Sequence, residues 1–236
     1  MSNITAYLDS FAAIERHLRG VTKRGREATF YTLVDEAARS DSAVRRYRDD
    51  LKEFADLRNA VVHECGGGQP IAEPNDWAVA RIQAIAEQLI RPPRVLPQFR
   101  VSVVALTPAA AIGEAVVIMH EHSFSQIPIY QDDQFVGLLT SNTIARWLGA
   151  SVAEDIFSLN ETSIHQVLAH TEDPDHVGFC AWDTTLIAVA ERFQAAQDRG
   201  KRLDALLITQ NGKPNERPLG IIAVFDLVTI NRILAA

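Results

Sequence analysis

Phe124–Ile144 reads FSQIPIYQDDQFVGLLTSNTI. Two short apolar runs, Gln126–Tyr130 and Phe135–Leu139, flank a polar turn at Gln131–Gln134. That pattern predicts a hairpin, with a helix following from about Ser141. The same order returns at Leu203–Leu227, LDALLITQNGKPNERPLGIIAVFDL. There the strands are expected at Ala205–Thr209 and Leu219–Ala223, the turn at Gln210–Pro218, and a last helix from near Phe225. A helix leads into each copy, Ala109–His122 for the first and Thr185–Asp198 for the second. Only the turn length differs. Such a repeat means one supersecondary unit used twice, each burying its apolar face against its twin.

The chain ahead of the repeats has another rhythm. Ile4, Leu8, Phe11, Ile14 and Leu18 recur at three- and four-residue steps, so a first helix has one apolar face. Gly20–Arg26 is a basic loop. Further helices are expected over Glu27–Arg39, Ser42–Glu64 and Asn75–Ile90, with Ser42 an N-cap and Gly66–Gly68 stopping the third. Pro92, Pro93 and Pro97 mark a stiff linker.

The chain has 236 residues, 47% of them hydrophobic, as in an ordinary globular protein. No apolar run approaches the roughly 20 residues of a membrane helix, and the first residues lack the pattern of a secretion signal. A cytoplasmic protein is therefore expected. Cys65 and Cys180 make no disulfide framework, and no spacing suggests a metal site. The net charge of −7 falls unevenly: Met1–Arg94 holds 14 basic and 14 acidic residues, Val95–Ala236 holds 9 and 16. The acidic second half argues against a broad nucleic-acid footprint there.

Phe124–Ile144, Leu203–Leu227 and the lead-in Val103–Met119 (VVALTPAAAIGEAVVIM) together resemble a tandem pair of CBS domains, or Bateman module. Members of that family usually bind adenosine nucleotides between the paired repeats, through Gly-x-x-Thr/Ser-x-x-Asp at a strand-to-helix junction. Free N–H groups and the dipole of a helix start favour a phosphate, a cap hydroxyl can bond one, and a first-turn carboxylate can accept both ribose hydroxyls. The motif is split here. The first copy has Gly137 and Thr140 but Thr143 in the aspartate position; the second has Gly220 and Asp226 but Ala223 in the hydroxyl position. One sugar site centred on Asp226 is expected, with Thr140 serving phosphates. Arg199, Lys201 and Arg202 form the dense basic cluster of this half, and Arg202 is a candidate polyphosphate contact. The resemblance also implies that Thr107, Gln126, Pro128, Thr185 and Leu206 line the clefts. The plainer alternative is that Asp226 and Thr140 only steady their helices.

In the helical half, LRNAVVHECGGG (Leu57–Gly68) carries Arg58, Asn59 and His63. It resembles the Arg-x4–6-His signature of HEPN domains, helical bundles that are often metal-independent ribonucleases acting as homodimers. The histidine would take a proton from a ribose hydroxyl and the arginine would stabilise phosphate charge. On one ideal helix Arg58 and His63 diverge by about 140°, whereas Asn59 and His63 are neighbours. Arg58 would then reach a partner's cleft, unless it pairs with acids such as Asp56 or Glu53.

The fold class expected is α+β: a HEPN-like all-α bundle over 1–91, a proline-rich linker over 92–100, and a CBS pair over 101–236. Its βαββα repeats are placed at about 101–150 and 163–236. The expected function is a regulatory sensor that binds AMP, ADP or ATP and signals to a helical dimerisation or effector domain. The alternative is a nucleotide-regulated ribonuclease acting on RNA through Arg58, Asn59 and His63. A homodimer is implied by both resemblances; no metal and no membrane partner is expected.

Overall fold

A computed structural model of the chain describes residues 2–62, 64–65, 69–153, 158–172 and 176–235. They form two compact units. One takes the chain up to Pro93 with 185–191 and the end from Val228; the other takes 94–184 and 192–227.

The first unit is helical. Its elements are α1 (Asn3–Thr22), α2 (Phe30–Ala37), α3 (Ser42–Arg46), α4 (Arg48–Val62), the short strands β1 (Glu64–Cys65) and β2 (Gln69–Pro70), and α5 (Asp76–Ile90). α1 packs against α2, α4 and α5. Its buried stripe is Tyr7, Phe11, Ile14 and Leu18. Tyr7 thus takes the place expected of Ile4 and Leu8, because its hydroxyl finds a buried acceptor, the Phe54 carbonyl, at 2.6 Å. Burial pushes that phenol above its usual range.

Helix starts follow the polar residues in front of them. Ser2, Thr29 and Asn75 accept the N–H groups of Thr5, Thr32 and Ala78. The third expected helix is cut in two at Tyr47, whose backbone leaves helical geometry while its ring lies under the guanidinium of Arg81, 5.5 Å away. Its cap is Asp41 rather than Ser42: one Asp41 oxygen accepts from both Ala43 and Val44.

The second unit carries the repeats. After α6 (Val95–Gln98) come α7 (Ile112–His122), β3 (Gln126–Gln131), β4 (Gln134–Thr140), α8 (Ser141–Ala153), α9 (Ile164–Leu168) and β5 (Val177–Ala181). α10 (Leu186–Asp198), β6 (Ala205–Thr209), β7 (Gly220–Ala223) and α11 (Leu227–Ala235) complete the chain. β3 and β4 form an antiparallel hairpin in which Gln126 faces Thr140. Its turn places Asp132 and Asp133 both at positive φ, 50° and 60°, the geometry that matches the twist of paired strands. In the second repeat β6 pairs parallel with β5 and antiparallel with β7. The first repeat has only a trace of that parallel strand, one bridge between Leu106 and Ile129.

Ile112, Ala115 and Met119 of α7 meet Ile127 and Ile129 of β3, Leu139 of β4 and Trp147 of α8. Ile164 and Val167 of α9 close this core. At the start of α9 the Gln166 Oε1 accepts both the Ser163 N–H at 2.9 Å and the Ser163 hydroxyl at 3.2 Å. No helix among the described residues is long and apolar enough to cross a membrane.

Candidate functional site

The two strand-to-helix junctions are built from different halves of the same motif. At the first, β4 runs straight into α8. Thr140, at the last position of β4, is buried, and its Oγ1 accepts the Thr143 N–H at 3.0 Å. The two threonine hydroxyls lie 2.9 Å apart, and Thr143 is also buried. At the second, β7 ends at Ala223 and a 3-10 turn over Val224–Asp226 precedes α11. Asp226 turns back on its own backbone, its Oδ2 accepting the Ala223 N–H at 2.7 Å.

The first junction opens on a cavity of about 80 Å³. Thr140, Asn142 and Thr143 form one side of it. Thr171, Glu172, His176, Arg202 and Asp204 form the other. Residues from the first hairpin and from the second repeat therefore share one wall-to-wall space. Glu172 is held by the Asn142 amide at 3.2 Å and by Arg146 at 2.6 Å. Asp204 is paired with Arg202, and its backbone N–H donates to the His176 carbonyl at 2.7 Å. Arg202 also belongs to the wall of a second hollow of about 270 Å³, whose basic members are Arg192, Arg199 and Lys201.

Of the residues expected to bind ligand, the structure brings Thr140 and Arg202 into this cavity. Gln126 faces Thr140 across the hairpin ladder. Pro128 and Leu206 are buried strand residues, paired with Leu138 and with Gly178 and Ile222. Thr107 is exposed. Thr185 caps α10 through the Ala188 N–H at 3.2 Å. Ala223 and Asp226 are not among the residues lining the cavity. Thr143, Thr171, Glu172, His176 and Asp204 were not expected there. Of these, Thr143 alone had a place in the sequence motif, in its aspartate position; nothing in the sequence singled out the other four.

In the helical unit Arg58 and Asn59 line an open hollow of about 400 Å³ together with Glu15, Arg19, Thr29 and Tyr31. Among the described residues Arg58 meets no carboxylate; its guanidinium approaches Asn59 Oδ1 at 3.5 Å. Asp56 instead accepts the Tyr31 hydroxyl, a bond that raises that phenol above its usual range. His63 lies outside the described residues, as do Gly66–Gly68. Cys180 is buried, and burial pushes its thiol up to about 11, which leaves it without thiolate character at neutral pH.

No curated protein sequence matches the chain. Among solved structures it is similar to a putative acetoin utilization protein (AcuB) from Vibrio cholerae, at 19% identity over 60% of this chain and 92% of that one, with a TM-score of 0.44. The CBS domain pair of protein MJ0100 in complex with 5′-methylthioadenosine and S-adenosyl-L-methionine aligns at 17% identity over 60% and 97%, with a TM-score of 0.44. The CBS domain of the bacterial CNNM/CorC family Mg2+ transporter in complex with ATP aligns at 16% identity over 63% and 92%, with a TM-score of 0.42. The family model of the CBS domain matches residues 99–150, and that stretch, which holds α7, the first hairpin and most of α8, is a CBS domain.

Proposed function

We propose that the protein is a regulatory sensor whose repeat-bearing unit binds an adenine nucleotide. One observation carries this reading: a single cavity is lined from the first junction by Thr140 and Thr143 and from the second repeat by His176, Arg202 and Asp204. A ligand seated there touches both repeats at once, so its binding energy depends on how they pack. The CBS match over 99–150 supports the same reading.

The cavity alone is smaller than the roughly 300 Å³ of ordinary ligand pockets. Arg202 joins it to the basic hollow of Arg199 and Lys201, and a nucleotide would span the two. The weight of the site therefore moves from Asp226, whose carboxylate already serves its own helix, to the surroundings of Thr140. In this reading the response is passed on to the helical unit.

A thermal melt with ATP, ADP and AMP tests the reading. A ligand at a hundredfold excess over its Kd stabilises the folded state by about 2.7 kcal/mol, a rise in Tm of about 5–11 °C for a chain of this size. Arg202→Ala is expected to remove most of that rise. If none of the three nucleotides moves the melt at millimolar concentration, the sensor reading is wrong.

A further inference from the structure

The cavity at the first junction holds more carboxylate than a phosphate site tolerates. Glu172 and Asp204 both line it. The Asp204 side chain is only 15% exposed, and its backbone is fixed by the bond to the His176 carbonyl. The one arginine in the lining, Arg202, is already engaged by Asp204. Facing them are the Thr140 and Thr143 hydroxyls. A space of about 80 Å³, two or three waters' worth at roughly 30 Å³ each, admits either a phosphate group or part of a furanose. Size does not choose between them; charge does. A phosphate here meets two carboxylates at short range, which is repulsive. A vicinal diol brings two O–H donors to oxygens that accept them, and hydrogen bonds to a charged acceptor are among the strong ones.

We infer that Asp204 supplies, from the second repeat, the sugar-binding carboxylate that Thr143 does not, and that this cavity takes the diol of a nucleoside while phosphates lie outside it toward Arg199 and Lys201. The assignment rests on the sensor reading and makes Asp204 its specificity residue. Glu172, held by Arg146 and Asn142, is the second acceptor.

Calorimetric titration of the full chain with ATP and with 2′,3′-dideoxy-ATP separates the possibilities. The wild type is expected to bind ATP tighter by about tenfold or more. Asp204→Asn is expected to bring the two ligands within about twofold of each other. Arg202→Ala weakens both and keeps their ratio. Should Asp204→Asn fail to fold, Glu172→Gln carries the same comparison with a smaller narrowing of the ratio. Binding of adenosine is also expected to withstand millimolar inorganic phosphate. A wild-type ratio near one, or an Asp204→Asn ratio equal to the wild type's, overturns the assignment while ATP binding still upholds the sensor. Absence of binding by ATP, ADP and AMP overturns both.

Discussion

At the first strand-to-helix junction, Gly137–Thr143, the helix is capped from in front by a hydroxyl; at the second, Gly220–Asp226, it is held from behind by a carboxylate. A reciprocal cap uses both bonds at one helix start, the cap side chain accepting from the third residue and the third residue's side chain accepting from the cap. Here each repeat keeps one of the two. Thr140 accepts the Thr143 N–H, and Asp226 accepts the Ala223 N–H. The consequences differ. The first helix starts directly and buries both its hydroxyls beside a cavity. The second starts through a 3-10 turn and leaves Phe225 83% exposed. Half of the capping pair is enough to start a helix, so the missing half at each junction is open to other uses. At the first, the position is filled by a small side chain, and acidic groups from the second repeat reach the space in front of it.

The glycines that open the two junctions offer the largest contrast. A Cβ on Gly220 would stand 2.2 Å from the Phe99 carbonyl oxygen, a backbone atom. A Cβ on Gly137 would meet only the far end of the Leu168 side chain, at 3.3 Å. Backbone cannot step aside and a leucine tip can. Gly220→Ala is therefore expected to destabilise by about 3 kcal/mol and Gly137→Ala by less than about 1 kcal/mol. Urea unfolding of both variants measures the difference. Equal losses would break the contrast between the junctions.

What was legible in the sequence follows the same division. The hairpins were readable because their apolar runs are bounded by turn residues: β6 begins and ends where expected, β3 runs one residue longer at its turn end, and β4 runs one residue longer at each end. β5 was not readable. It is short, holds Gly178, is mostly half-buried, and owes its pairing to β6, which lies more than a helix away in the chain. α9 was missed because it is five residues long and is defined by its burial in the first repeat's core. Of the site, Thr140 and Arg202 could be named in advance, since a cap hydroxyl and a basic cluster are local signals. Glu172, His176 and Asp204 could not. They matter only because folding brings them opposite Thr140 and Thr143.

The caps themselves give a smaller effect. Thr140→Val keeps shape and removes the acceptor for the Thr143 N–H, with an expected loss of about 1 kcal/mol. Asp226→Ala removes the bond to Ala223, which is less buried, with an expected loss of about 0.5 kcal/mol. Ala223→Ser completes the reciprocal pair at the second junction and is expected to recover a similar amount. Unfolding midpoints at constant slope measure all three. If Asp226→Ala leaves stability unchanged, its carboxylate does not hold that helix start, and its use by a ligand becomes the better account of it.

The smallest effect lies in the two hairpin loops. The first is a tight Asp132–Asp133 turn. The second, between β6 and β7, is long and is organised around Glu216. The Asn211 side-chain amide and backbone N–H donate to Glu216 at 2.6 and 2.7 Å. These bonds, helped by Thr209 and the Lys213 N–H, hold the Glu216 carboxyl down at about 2. A carboxyl whose folded value lies below its unfolded one, about 4.3, contributes stability that is fully present above the unfolded value. That contribution is lost as pH falls from there through about 2. Glu216→Gln removes the charge at every pH. The Tm gap between wild type and Glu216→Gln is therefore expected to be constant from neutrality to about pH 5 and to close between about pH 4 and pH 2. The tight Asp132–Asp133 turn has no such internal donors; its link is outward, from Asp133 to Arg217 at 2.9 Å. Asp133→Asn is expected to change Tm less than Glu216→Gln does at neutral pH, because that ion pair is exposed and screened. A Tm gap for Glu216→Gln that persists unchanged at pH 2 would mean that the loop is held by its backbone alone, and the two turns would then differ in length and not in chemistry.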